Sequence, residues 1–150
     1  MKSPTTPLRL LTSALAMSLG LAPAWAQSAP APAQGAALSL ELNAAQPSEK
    51  GCRLTFVVNN ALGTDLSKAA FEIALFNEAG VVDRLTVLDF KDLPAGKTKV
   101  TRFDLAGADC GKLSRVLINS ATECAGTGVE PAACMRGLKT STRTSIAFGV

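Results

Sequence analysis

Residues 52–59 read Cys52-Arg53-Leu54-Thr55-Phe56-Val57-Val58-Asn59, and this short stretch decides the class of fold. Every second residue from Cys52 to Val58 is apolar, and the residues between them include an arginine and a threonine. Successive side chains of a β-strand point to opposite faces, so this alternation predicts a strand with one buried face. We therefore expect Cys52 and Phe56 to lie in a hydrophobic core.

The same period of two recurs on both sides of this stretch, in short runs separated by turn residues such as those at 93–96. The predicted strands cover residues 38–42, 52–59, 71–75, 81–90, 98–105, 113–119 and 145–148. Residues 120–144 are predicted to be irregular. Helical periodicity is nearly absent, so we predict an all-β fold: an immunoglobulin-like antiparallel β-sandwich of about seven strands.

The four cysteines, Cys52, Cys110, Cys124 and Cys134, permit three pairings. If consecutive strands run antiparallel, the second and sixth predicted strands begin at the same end of the sandwich, where Cys52 and Cys110 lie. Cys124 and Cys134 belong to the other end. The topology therefore predicts two structural disulfides, Cys52 with Cys110 and Cys124 with Cys134. A redox or metal role is disfavoured because the chain has no Cys-x-x-Cys spacing and no histidine.

The amino-terminal segment predicts export. Lys2 and Arg9 precede an apolar run at residues 10–21, and Ala24-Trp25-Ala26 places small residues at both positions that define a cleavage site. The alternative is a membrane anchor, but the apolar run is shorter than the roughly 20 residues that a spanning helix needs. We predict a signal peptide over residues 1–26, and a single arginine before the apolar run favours Sec-type export over a twin-arginine signal.

The rest of the chain divides into a linker and one domain. Residues 27–36, rich in alanine and proline, predict a flexible linker, and residues 37–150 have a suitable length for a single β-sandwich domain. Disulfides form in oxidising compartments, so the predicted location is the periplasm or the extracellular medium. No integral membrane segment is expected after signal cleavage.

The composition argues against several classes of function. The formal net charge of +3 falls to +1 when Lys2 and Arg9 leave with the signal peptide. So small a charge implies no nucleic-acid partner. The chain has no histidine and no tyrosine, so it lacks the commonest general base, the commonest metal ligand and a common interface aromatic. We assign no catalytic residue, cofactor or metal.

Enzymatic alternatives depend on residues that have simpler explanations. A hydrolase with a serine or cysteine nucleophile would need a lysine as its base. A glycosidase needs two carboxyl groups across a cleft. The candidate carboxylates lie at predicted strand ends and turns, where they ordinarily stabilise the local backbone: Asp83, Asp89, Asp92, Asp104 and Asp109.

Two stretches carry a resemblance to known families. Phe71-Glu72-Ile73-Ala74-Leu75-Phe76-Asn77-Glu78-Ala79-Gly80, followed by Leu93-Pro94-Ala95-Gly96-Lys97, resembles bacterial FxLYD-type immunoglobulin-like domains. Over nearly the whole mature chain, including residues 51–58 and 85–90, the sequence is similar to small exported proteins known as "Tat pathway signal sequence domain protein". The resemblance implies a β-sandwich outside the cytosol and brings no active-site residue.

One candidate surface for a partner is apolar. Phe76 and Val57 fall on the outward parity of their strands, and together they could form an exposed apolar patch. The alternative, which the sequence favours, is that residues 120–144 cover both sheet faces at that point.

A second candidate surface is basic. Lys97, Lys99 and Arg102, with Lys91 nearby, could form a stripe for an anionic lipid or polysaccharide. The favoured alternative is the solvated face of an edge strand, where lysines discourage aggregation between sheets.

From these observations we expect a non-enzymatic binding module of the cell envelope that contacts an envelope protein or an extracellular ligand through its loops. The alternatives are a structural accessory domain of the envelope and a histidine-free hydrolase. The sequence assigns no particular partner and no oligomeric state. An exposed apolar patch around Phe76 would favour the binding module, whereas a deep pocket lined by two acids would favour the enzyme.

Overall fold

The structure, a computed structural model, describes residues 35–150. The strands are β1 Leu38–Ser48, β2 Gly51–Asn60, β3 Leu66–Asn77, β4 Val82–Leu93, β5 Thr98–Ala106, β6 Leu113–Ala125, β7 Lys139–Thr142 and β8 Ala147–Gly149, with short 3-10 helices at Cys110–Lys112 and Pro131–Cys134. The predicted signal peptide and all but two residues of the predicted linker lie outside the described residues. Within residues 35–150, no helix has the length and hydropathy needed to cross a membrane.

The strands form two sheets of four. Sheet 1 has the order β5-β2-β1-β7 and sheet 2 has the order β4-β3-β6-β8. The predicted β-sandwich is confirmed, with eight strands rather than about seven. The antiparallel order is broken twice, because β7 pairs with β1 and β8 with β6 in parallel. The predicted last strand, residues 145–148, corresponds to β8, whereas β7 lies within the stretch predicted to be irregular.

The core between the sheets is aromatic at its centre. Five phenylalanine rings contact one another with centroids 5.0 to 6.0 Å apart: Phe56, Phe71, Phe90, Phe103 and Phe148. On β2, Cys52 and Leu54 are fully buried and Val58 is 1% exposed, as the alternation predicts. Edge-on pairs of buried rings stabilise a core beyond the area that they bury.

The two disulfides lie at opposite ends of the sandwich. Cys52 is bonded to Cys110 and Cys124 to Cys134, which is the pairing that strand parity predicts. The first disulfide links the start of β2 in sheet 1 to the 3-10 helix that leads into β6 in sheet 2. The second links the far end of β6 to the other 3-10 helix.

Strand β6 is longer than the sequence pattern indicates. We expected it to end at residue 119, but it continues to Ala125, so Cys124 lies within the strand rather than beyond it. The β3–β6 pairing contains three register shifts, which break the period of two while the hydrogen-bonded strand continues. Residues 120–144, predicted to be irregular, therefore contain the end of β6 and all of β7.

Candidate interaction surface

The outer faces of the two sheets differ in chemistry. On sheet 1, the Arg53 guanidinium donates two hydrogen bonds to the Asp104 carboxylate, at 2.9 and 3.0 Å. On the same sheet, Arg143 Nε donates to Glu41 at 2.9 Å. Sheet 1 also exposes Val100, whereas sheet 2 exposes three large apolar side chains on one strand: Val82, Leu85 and Val87.

Strand β4, at the edge of sheet 2, is apolar on both of its faces. Leu88 and Phe90 are 3% and 1% exposed and point into the core. Leu85 and Val87 have the opposite parity, point outward, and are 55% and 51% exposed. A strand with valine and leucine on both faces gives no alternation, so the sequence alone does not show which of these residues meet solvent.

Strand β3 carries the apolar surface across the sheet. Ala74 pairs with Leu85 on one side and with Leu117 on the other. After a register shift, Phe76 pairs with Val82, which is 48% exposed. Here "apolar patch" denotes the outer surface of Val82, Leu85 and Val87, which are exposed, together with Phe76 and Leu117, which are partly buried, and Ala74, which is 4% exposed beneath them.

Charged residues of opposite sign lie at the two ends of the apolar patch. The guanidinium carbon of Arg115 lies 5.5 Å from the centroid of the Phe76 ring, within cation–π range. At the other end Glu72 pairs with Val87 along the strands and accepts a hydrogen bond from Asn119 Nδ2 at 2.6 Å. Among residues 35–150, neither Arg115 nor Glu72 has an oppositely charged partner.

The structure separates the two residues of the predicted apolar surface. Val57 lies on the outer face of sheet 1, with Glu41 and Val100 as its strand partners. Phe76 lies on the outer face of sheet 2. Residues 120–144 do not cover the apolar patch beside Phe76, because Leu85 remains more than half exposed.

The basic residues of the predicted stripe also diverge. Lys99 shares the inward parity of Phe103, and its Nζ donates to the carbonyl oxygen of Asp92 on β4 at 2.7 Å. Arg102 points outward from sheet 1, whereas Lys97 lies in the turn between β4 and β5. Lys91 belongs to β4, in the other sheet. These four cations therefore do not form one basic face.

A second cation, Arg84, also bridges the edge strands β4 and β5. Arg84 on β4 donates from Nη1 to the carbonyl oxygen of Ala106 on β5 at 2.7 Å. Lys99 and Arg84 thus cross between the two edge strands in opposite directions. Inward-pointing charges protect a sheet edge from pairing with other chains. We did not predict this role for Lys99, although its parity with Phe103 was the signal that could have revealed it.

Every aspartate of the predicted cluster has a cation beside it. The pairs are Asp83 with Arg84, Asp89 with Lys91, Asp92 with Lys99, Asp104 with Arg53 and Asp109 with Lys112. Hydrogen bonds from these cations lower the pKa of Asp89, Asp92 and Asp104. A lowered pKa keeps a carboxyl group ionised at neutral pH, which suits ion pairing rather than proton donation.

Three of the surface clefts are lined by two acidic residues each, and the smallest of the three, of about 290 Å³, contains Asp83 and Asp109. Another, of about 640 Å³, is lined by Asp65 and Asp92 among others, and the third, of about 630 Å³, by Glu49 and Asp104. Cation hydrogen bonds lower the pKa of Asp92 and of Asp104, whereas a general acid needs a raised one. In the described part of the chain, no group of three or more His, Cys, Asp or Glu residues could hold a metal ion.

A buried amide organises the loops at the Cys124 end of the sandwich. Asn60, the last residue of β2, is 1% exposed. Its Nδ2 donates to the carbonyl oxygens of Thr64 at 2.9 Å and Leu93 at 2.7 Å, and its Oδ1 accepts from the backbone N–H of Leu62 at 3.0 Å. The side chain therefore ties the β2–β3 loop to the end of β4. The predicted strand ends at residue 59 and so leaves Asn60 out, because a single buried polar residue gives no periodic signal.

The fold and this surface define a disulfide-bonded β-sandwich with an apolar patch on one outer face. No family model and no curated protein matches the sequence. Among solved structures, the chain is similar to the Salmonella enterica trimeric lipoprotein SadB, at 18% identity and a TM-score of 0.41. The match covers 47% of this chain and 40% of that one, so the chain spans less than half of that protein's length.

Proposed function

We propose that this protein is a non-enzymatic binding module of the cell envelope and that it contacts a protein partner through the apolar patch. The observation that carries the proposal is the exposure of Leu85 and Val87, both above one half, on the outer side of an edge strand. The proposed contact surface is therefore a sheet face, whereas the sequence predicts binding through the loops.

Exposed apolar side chains are common singly, but a contiguous set is not. Val82, Leu85 and Val87 are exposed along one strand, and the partly buried Phe76 on the next strand pairs with Val82. A protein partner that buries this face would remove these apolar side chains from water.

The compartment is part of the same proposal. The two disulfides leave no free cysteine among residues 35–150, which is compatible with a periplasmic or extracellular location. The signal-peptide pattern at residues 1–26 supports export. An oxidising compartment would keep both disulfides formed, and the apolar patch on sheet 2 would remain accessible to a partner.

Site-specific photocrosslinking in living cells tests this function. A photoreactive amino acid replaces Leu85 in one variant and Val100 in a matched control, because Val100 is 58% exposed on the outer face of sheet 1. We expect a discrete crosslinked protein species from position 85 and none from position 100. Equal crosslinking from both positions, or none from position 85, would contradict the proposal.

A further inference from the structure

We propose that the partner seated on the apolar patch is a second copy of this chain, so that two sandwiches pack sheet 2 against sheet 2 about a two-fold axis. This inference rests on the proposed function of that face and names its occupant. Two observations support the inference: the positions of the charged residues around the apolar patch, and the pairing of β3 with β4 and β6 that places them there.

A positive and a negative side chain lie at opposite ends of the apolar patch, at similar distances from its middle. The row of Phe76 and Arg115 lies at one end of the apolar patch, and the row of Glu72 with the adjacent Asn119 lies at the other. Ala74, flanked by Leu85 and Leu117, lies midway between them. Phe76 and Glu72 are four residues apart on β3, about 13 Å along an extended strand.

A two-fold axis makes this arrangement self-complementary. If the axis lies in the interface, across the strands at the level of Ala74, it exchanges the two ends of the apolar patch. Arg115 of each copy then faces the Glu72–Asn119 pair of the other, and the leucines around Ala74 meet at the centre. In such an isologous contact each complementary feature occurs twice.

The contacts that Arg115 and Glu72 make within one chain leave both charges able to pair with a second copy. The side chain of Arg115 covers Phe76 without an ion pair, and that of Glu72 binds only a neutral amide among the described residues. An apolar centre with charges at its rim is the usual anatomy of a protein interface. A partner of uniform charge would match one end of the apolar patch and be repelled by the other, whereas a second copy matches both.

Charge reversal on the full chain tests the dimer. The protein is expressed with its own amino-terminal segment, purified without reductant, and its mass is followed by sedimentation equilibrium up to about 1 mM. We expect a reversible dimer. Arg115→Glu and Glu72→Arg each bring like charges together, so each should raise the dimer dissociation constant at least about tenfold. The double variant Arg115→Glu/Glu72→Arg restores opposite charges and should recover most of the affinity.

Two further variants separate the outcomes. Leu85→Asp should abolish the dimer, and Val100→Asp, a matched change on the outer face of sheet 1, should leave it intact; thermal melts verify that each variant folds. A wild-type protein that stays monomeric, or a dimer indifferent to Leu85→Asp and to charge reversal, would overturn the inference. If the protein is monomeric while position 85 still crosslinks to a different protein in cells, the dimer fails and the proposed function stands.

Discussion

Lys99 on β5 reaches across the side of the sandwich where the edge strands β5 and β4 face each other, here called the open side. Its Nζ lies 2.7 Å from the carbonyl oxygen of Asp92 on β4. It also lies 3.4 Å from the carbonyl oxygen of Phe90 and 3.2 Å from the Asp92 carboxylate. One ammonium group therefore satisfies three acceptors on the edge of the opposite sheet. Because β4 and β5 belong to different sheets, no backbone ladder joins them, and these side-chain contacts replace it.

Replacing this lysine should loosen the open side. Lys99→Met keeps the length of the side chain but removes its donors, so the two edges lose a link and the β4 carbonyls become free to pair with other chains. We expect a melting temperature lower by a few degrees and more light scattering on heating. Lys97→Met, in the adjacent turn, is the control. Equal effects from the two variants would show that Lys99 acts only through its charge.

Much of the sandwich could be read from the sequence because its strands bury one face. Leu54 and Phe56 alternate with polar residues, and strand parity was enough to place Cys52 near Cys110. The extension of β6 to Ala125 could not be read in this way, because register shifts break the period that marks a strand.

The surface was harder to predict than the core, for a different reason. Parity identifies Val57 and Phe76 as outward, but it does not say which sheet a strand joins, and only the pairings show that they face opposite ways. The exposure of Leu85 could not be predicted because leucine on an edge strand looks like a core residue. Nothing in the pattern reveals the role of Asn60, which depends on a contact with the end of β4, a strand distant in the sequence.

The acid response should come from carboxylates alone. Hydrogen bonds from Arg53, Lys91 and Lys99 lower the pKa of Asp104, Asp89 and Asp92 respectively. A carboxyl group whose pKa is lower in the folded state stabilises that state above its unfolded pKa, and this contribution is lost as the pH falls through the folded value. We expect an almost constant melting temperature from about pH 5 to 8, since the chain has no histidine, and a fall below about pH 4.

The variant Asp104→Asn tests this explanation. It removes one carboxylate whose pKa is lowered, so its melting temperature should depend less on pH below about pH 4 than that of the wild type. Glu78→Gln, in the exposed turn between β3 and β4, serves as the control for loss of a carboxylate elsewhere. If Asp104→Asn and Glu78→Gln show the same acid slope, the Arg53 pairing does not contribute to the pH dependence.

The two disulfides should differ in what they contribute to stability. Their cysteines are 58 and 10 residues apart, so chain-entropy arguments give about 4 kcal/mol for Cys52–Cys110 and about 3 kcal/mol for Cys124–Cys134. Replacing each pair by alanines and measuring urea unfolding tests the order. Each pair contains one fully buried cysteine, Cys52 or Cys134, so the small cavity left by replacement adds to both losses and the order follows from loop length. A greater loss from the Cys124–Cys134 pair would contradict this order.

The buried amide of Asn60 offers the sharpest test of how the loops are held. Asn60→Asp preserves the shape of the side chain but replaces the Nδ2 donor by an oxygen, so the carbonyls of Thr64 and Leu93 lose their partner and face a buried acceptor. Leaving buried polar groups unsatisfied costs about 1–3 kcal/mol each, so we expect unfolding free energy to fall by roughly 3 kcal/mol or more at neutral pH.

Asn59→Asp is the matched control, because the neighbouring asparagine bonds Thr98 Oγ1 in an exposed position on the outer face. Its substitution should change stability by less than about 1 kcal/mol. The two variants carry the same chemical change one residue apart, on opposite faces of β2. Similar losses from both would mean that the added charge, and not the broken link between Thr64 and Leu93, sets the cost.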